Sequence, residues 1–368
     1  MRGGYEYGMS QTHEIGLMSR REALLAAMAV AGLGMYGCSR SGAAGALTLY
    51  SSADDDIAAL ARGAFTKRSG RALEIVGDTE ATKTFGLVAR LIDERSSPRA
   101  DAWWSNEPLG SVRLAEEGVL APLPGSIVGS AWYKAWPAYL KDPRDLWIGF
   151  GLRARAIAYH TRRVRPEEAP ASARELALPR WKGRVGMAKP QFGTTRLHMA
   201  AILVQSGEAA MRGWLEGLRA GGVRLYDGNS SVVRAMSVGE IDVGLTDSDD
   251  VRAGMSNGWP VGMVLERPAP EEAGAIAARG TVTIPNTVGL VGGGPGGAAA
   301  VELLEFLVSA EMERLLAGSV AGYAPVRAEV AAEFPAAGIG SAAELDYAEI
   351  GRRSAEAIAL FEGVFAGG

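Results

Sequence analysis

From Gly239 to Gly254 the chain reads GEIDVGLTDSDDVRAG. An apolar run of Ile241, Val243 and Leu245 ends in Asp247, Ser248, Asp249 and Asp250. Carboxylates this close repel one another, so something must gather them: a helix N-terminus, a bound cation or a reaction. Other strand-like runs end in loops of the same kind. They are Tyr50-Ser51-Ser52-Ala53-Asp54, Gly77-Asp78-Thr79-Glu80, Ser105-Asn106-Glu107, Phe192-Gly193-Thr194-Thr195 and Gly228-Asn229-Ser230-Ser231. Taken singly, each reads as an N-cap, because Ser, Thr, Asp and Asn accept from the free N–H groups of a first helical turn. Taken together they line one cleft.

Two ligand chemistries fit such a cleft. Gly193, Thr194, Thr195, Asn229 and Ser230, with Ser52 and Thr79, suit an oxyanion or the polar end of an organic solute, since helix N-termini rich in Gly, Ser and Thr cradle negative charge. Asp54, Asp249 and Asp250, with Asn106 or Glu107 in support, suit a hard cation held by oxygen, or an amine. An enzyme is the competing class, because aspartates with a divalent metal run hydrolysis or phosphoryl transfer. The chain has no P-loop, nucleophile elbow, HExxH or cysteine nucleophile, so no catalytic residue is assigned. Lys83 and Lys189 read as solvated, and His160 and His198 as structural.

The elements that must position these loops alternate. Strands are expected over 46–52, 72–77 and 100–105, with helices over 54–70 and 81–94 between them. Two strands over 147–160 lead to a second series. Its strands are expected over 183–188, 223–227 and 241–246, with helices over 194–207, 208–222 and 231–240. Strands at 261–266 and 281–291 and helices at 298–309 and 310–318 follow. Strand–helix alternation is the pattern of a mostly parallel sheet with right-handed crossovers. The fold class is therefore α/β, with two lobes that are each a mostly parallel sheet flanked by helices. A cleft between them faces the carboxyl ends of the strands. One of Trp103 and Trp104 is expected in the core and the other in the cleft. The expected division is 46–150 for the first part of lobe 1, 151–259 for lobe 2, and 260–368 for return strands and C-terminal helices, mainly with lobe 1.

The 368 residues are 48% hydrophobic and 22% charged, with a net charge of -4, which excludes a basic field for nucleic acid. Three histidines are too few for a His-rich zinc site, and one cysteine permits no internal disulfide. That cysteine, Cys38, follows Ser19-Arg20-Arg21 and an apolar stretch, which reads as an export signal over 1–37 and a linker over 38–45. Ser19-Arg20-Arg21-Glu22-Ala23-Leu24-Leu25 resembles a twin-arginine motif, and Met35-Tyr36-Gly37-Cys38 a lipobox with Cys38 the lipidated residue. A lipid-anchored or periplasmic protein is the expectation.

In LTLYSSADDDIAALARGAFTKRSG (47–70), DAWWSNEP (101–108), LPRWKGRVGMAKPQFGTT (178–195), VRLYDGNSSVVRAMSVGEIDVGLT (223–246) and TVTIPNTVGLV (281–291), the chain resembles the periplasmic solute-binding proteins of bacterial ABC importers, in particular their ferric-ion-binding branch. The resemblance covers nearly the whole chain after residue 46. It implies a type II two-lobed binding protein, a monomer, with no cofactor and no enzymatic activity, that delivers a small solute to a membrane permease and its ATPase. It further implies that Asp249 and Asp250 stand where that branch places two adjacent tyrosines. Asp54 stands at its first-loop ligand, and Asn106 with Glu107 at its third-loop glutamate. Gly193, Thr194, Thr195 and Asn229 stand where a phosphate or carbonate partners the metal. The cargo implied is iron(III) or another hard cation with a synergistic anion. Carboxylates also accept calcium, magnesium or manganese, and a phosphonate or polyamine-like solute is the alternative cargo.

Overall fold

The computed structural model describes residues 46–78, 84–191 and 193–366. The expected export signal, the linker, Cys38 and Thr79 lie outside the described residues. The strands are β1 (Leu47–Ser51), β2 (Leu73–Gly77), β3 (Ala102–Ser105), β4 (Leu120–Ala121), β5 (Ile148–His160), β6 (Val185–Ala188), β7 (Arg224–Tyr226), β8 (Val243–Asp247), β9 (Val261–Leu265) and β10 (Thr283–Val291). The helices that matter to the site are α1 (Asp55–Ser69), α2 (Phe85–Asp93), α3 (Pro108–Glu116), α4 (Gly193–Ala220), α5 (Asn229–Ser237), α6 (Ser248–Ser256) and the terminal α7 (Tyr347–Phe365).

The strands follow the order β2-β1-β3-β10-β5-β8-β6-β7, with β4 added on β10 and β9 on β5. At one end β2, β1 and β3 run parallel; at the other β8, β6 and β7 do. Each parallel set is reached by helix crossovers, and each strand hands over to a helix at its carboxyl end, as parallel pairing requires. The antiparallel strands β10 and β5 lie between the two sets. They make this a two-lobed α/β fold. β5 is one continuous 13-residue strand where two were expected. Its first half pairs with β10, Ile148 to Ala154, and its second half with β8 and β9. Gly151 lets it pass between the lobes. Its φ is +47°, and a Cβ there would stand 2.6 Å from Leu316 Cδ1.

Local sequence accounts for most boundaries. α1 opens on Asp55 and Asp56, closes on Lys67 and Arg68, and stops at Gly70 with φ +71°, so both ends complement the helix dipole. The helices expected over 194–207 and 208–222 meet at a break at Gly207 within α4. Both Trp103 and Trp104 are fully buried, because β3 is an interior strand covered on both faces; their indole N–H groups donate to Ser111 and Asn286. β9 pairs with the lobe-2 half of β5, not with lobe 1. α7 reaches both lobes: Arg196 and Arg219 of α4 bond to Ser354 and the Val364 carbonyl, and Gly351 packs on Val112 of α3.

Candidate cation and anion site between the lobes

The helices α1, α3, α4, α5 and α6 all begin where a strand ends, so their N-termini converge on one cavity of about 560 Å³. Asp54, Asn106, Gly193, Thr194, Thr195, Asn229, Ser230, Asp249 and Asp250 all line it, from both lobes. Of the expected ligands, two face elsewhere. Glu107 is an N-cap: its carboxylate accepts from the N–H groups of Leu109 at 2.7 Å and Gly110 at 3.0 Å, and it is buried away from the cavity. Burial raises its pKa against the pull of those two bonds. Ser52 is buried behind the lining, donating to Asn106 Oδ1 at 3.2 Å and accepting from the Asn106 N–H at 3.1 Å, so it holds the Asn106 loop in place.

The floor of the cleft is built from residues that sequence reasoning passed over. Arg153 and Arg155 project from β5, two residues apart and therefore on one face. Both side chains are almost fully buried. Arg153 Nη1 lies 2.9 Å from Asp249 Oδ2 and 3.9 Å from Asp247 Oδ2, and Nη2 donates to the Asn106 carbonyl of the other lobe. Arg155 faces Asp247 across the β5–β8 ladder, and its Nη1 lies 2.5 Å from Asp247 Oδ1. The same Nη1 reaches Asn229 Oδ1 at 3.0 Å and Thr194 Oγ1 at 3.3 Å. His198 supports it from behind, with Nδ1 accepting from Arg155 Nε at 3.3 Å. Burial first, and the Arg155 charge second, push the His198 pKa well down, which keeps the ring neutral and able to accept. A signal for the pair was present: Arg-Ala-Arg-Ala inside an otherwise apolar strand places two charges on one face.

Part of the expected anion set is engaged by the protein's own carboxylate. Thr194 Oγ1 donates to Asp247 Oδ2 at 2.5 Å, and Asn229 Nδ2 donates to the same oxygen at 3.1 Å. Thr195 Oγ1 donates to Asn229 Oδ1 at 3.3 Å and fixes that amide. Two of the side chains expected to hold an oxyanion, Thr194 and Asn229, thus hold the carboxylate of Asp247, which is 2% exposed.

The cation half remains open. Asp247, Asp249 and Asp250 each present a carboxylate oxygen within 4.8 Å of the others, close enough to share one ion. Among the described residues, the buried Oδ1 of Asp249 has no hydrogen-bond partner. Burial raises the Asp249 carboxyl above its ordinary value against Arg153, and Asp247 and Asp54 add to the rise. Burial, then the charges of Asp249 and Asp247, hold Asp250 well above the ordinary aspartate range. Asp54 stands at the N-cap position of α1 without capping it through its side chain. Asp247, Asp249 and Asp250 set three carboxylates against the guanidinium groups of Arg153 and Arg155. At the rim, Lys189 and Asp227 pair at 2.7 Å in solvent.

The chain thus has a two-lobed α/β fold with a polar cleft crossed by antiparallel strands. The chain belongs to the bacterial extracellular solute-binding protein family, whose model matches residues 112–343. It is 30% identical over 243 residues to the iron uptake protein A1 of Synechocystis, an alignment that covers 63% of each protein. It is also 30% identical over 202 residues to the major ferric iron-binding protein of Neisseria meningitidis, covering 55% of this chain and 58% of that one. The chain therefore spans a little under two thirds of the length of the curated relatives it matches. Among solved structures, the Trichodesmium FutA (IdiA) protein in complex with iron and citrate superposes with a TM-score of 0.72 at 24% identity, over 87% of this chain and 99% of that one. Among the described residues, no helix is long and apolar enough to cross a membrane.

Proposed function

We propose that this chain is the extracytoplasmic solute-binding component of an ABC importer and that its cargo is a hard cation, iron(III) first among them. The observation that carries the reading is the buried, unpartnered Oδ1 of Asp249 within a trio of carboxylates, where burial and the charges of Asp249 and Asp247 disfavour ionised Asp250. A cation is what would relieve both. The iron-binding names of the relatives support the choice of metal. Asp249, Asp250 and Asp54 are the proposed ligands, with Asn106 in support. Cargo would shift the lobes toward a closed population by contacting both, a hinge motion about β5 and β10. A permease and ATPase would receive the closed form, and the chain would act as a monomer. The lipobox-like segment at Cys38 and the twin-arginine-like leader support export and lipid anchoring.

The test is a thermal-shift screen of chelator-stripped protein against iron(III), manganese, calcium and magnesium, then phosphonates and polyamines. A cation at a hundredfold its dissociation constant adds about 2.7 kcal/mol to stability. The shift is expected with a cation and is lost in the Asp249→Asn, Asp250→Asn double variant, which keeps the side-chain shapes. A shift with an organic solute and none with any cation would replace this reading.

A further inference from the structure

We infer that Asp247 is a built-in anion: its carboxylate permanently occupies the oxyanion seat of the second lobe, so that cargo is captured without a dissolved co-anion. The inference rests on the cation reading only for the word cargo; the filled seat stands on geometry alone.

Both oxygens of this carboxylate are engaged. Oδ1 meets Arg155 Nη1 at 2.5 Å, and Oδ2 receives Thr194 Oγ1 at 2.5 Å and Asn229 Nδ2 at 3.1 Å. Thr194 and Asn229 stand in the first turns of α4 and α5, the positions from which a free phosphate or carbonate would be held. Charge-assisted bonds of this kind are roughly twice as strong as neutral ones. A dissolved anion would have to displace a carboxylate tethered to the backbone by two bonds and already oriented, an advantage of high effective molarity. Asp247 also belongs to the carboxylate trio that could share one ion. It therefore gives the cargo what a co-anion gives: negative charge at fixed distance, already desolvated and oriented by Arg155.

An ordinary buried ion pair that merely knits β5 to β8 would look similar, so the test needs a readout that such a pair would not move. Replacing Asp247 by Ala removes a carboxylate the size of formate and leaves Arg155, Thr194 and Asn229 in place. The full chain carrying Asp247→Ala, stripped of metal, is titrated with sodium formate, phosphate and bicarbonate and followed by thermal shift. Saturable stabilisation by formate is expected, absent from the wild type and abolished in Asp247→Ala with Thr194→Val. In the cargo arm, iron(III) is passed from a nitrilotriacetate complex held constant throughout. Wild-type affinity should be indifferent to the added anions. That of Asp247→Ala should fall by about tenfold or more and recover with formate.

Wild-type protein that is stabilised by phosphate or bicarbonate through Thr194, or that takes up iron(III) only with such an anion, overturns the inference. So does an Asp247→Ala protein that folds and ignores formate. If that variant does not fold, the wild-type titrations still decide. If no cation binds the wild type at all, the cargo reading falls while the metal-free formate arm continues to judge Asp247.

Discussion

Replacing Arg153 by Met isolates the charge balance of the cleft. In the empty protein the Arg153 guanidinium holds Asp249 at 2.9 Å and bridges to the Asn106 carbonyl of the other lobe. Because Asp249 Oδ1 already has no partner, the substitution strips the whole buried carboxylate of donors. Breaking a buried pair from one side costs about 3–5 kcal/mol. With an unfolding entropy near 2.1 cal/mol/K per residue, that is a fall in Tm of roughly 4–7 °C for a chain of this length. The loss should depend on pH. Burial already lifts the Asp249 carboxyl above its ordinary value, and without Arg153 it rises further. The folded state then binds more protons than the unfolded one, so stability falls as pH climbs from the ordinary aspartate range through the raised value. The penalty is thus small in acid and full at neutral pH. Cation binding should move the other way, since the trio Asp247, Asp249 and Asp250 would face one guanidinium instead of two. Calorimetry at about pH 4 and about pH 7.5, with and without iron(III), reads all three effects. A loss of equal size at both pH values, with an unchanged iron shift, would refute the reasoning, because Asp249 would then be neither charged nor a ligand.

Two further expectations separate neighbouring roles. Glu107→Ala removes the cap of α3 and should cost about 1–2 kcal/mol, while leaving the cation-induced shift untouched; a lost cation shift would return Glu107 to the ligand set. Burial pushes Glu266 up to about 7, only partly offset by the Ala173 N–H and by Arg174. Its contribution to stability is complete below its ordinary 4.5 and is lost as pH rises through about 7. Glu266→Gln should therefore remove up to about 3 kcal/mol of the stability decline between those values, measured as Tm against pH.

The strand ends were legible in the sequence because polar loops follow apolar runs there, and a strand that hands over to a helix places its end at the cleft. Glu107 misled for the same reason: an acid before a helix is a ligand or a cap according to where its carboxylate points, and the chain gives only its place. The shared face of Arg153 and Arg155 is legible in Arg-Ala-Arg-Ala, but their carboxylate partners are not, because those come from a stretch far along the chain. With them went the fate of Asp247. Its type and position invite the label of cation ligand, and only the cross-strand pairing with Arg155 shows that it is held as a counter-charge. The proposed cation ligands Asp249 and Asp250 are legible from clustering and from the family resemblance, and the arginine that tempers Asp249 comes from a strand nearly a hundred residues earlier.

The placement of two arginines on the strand shared by both lobes also bears on how the chain reaches its fold. Side chains alternate along a strand, so a slip of one residue between β5 and β8 would set Asp247 opposite an alanine and separate it from Arg155, while Arg153 stays in register with Ile284 of β10. Such a misaligned pairing would leave the buried Arg155 guanidinium without the Asp247 carboxylate, which is costly. Runs such as Ala-Ile-Ala and Val-Gly-Leu carry little register information of their own. The Arg155–Asp247 pair supplies it, because only the native register brings the two buried charges together.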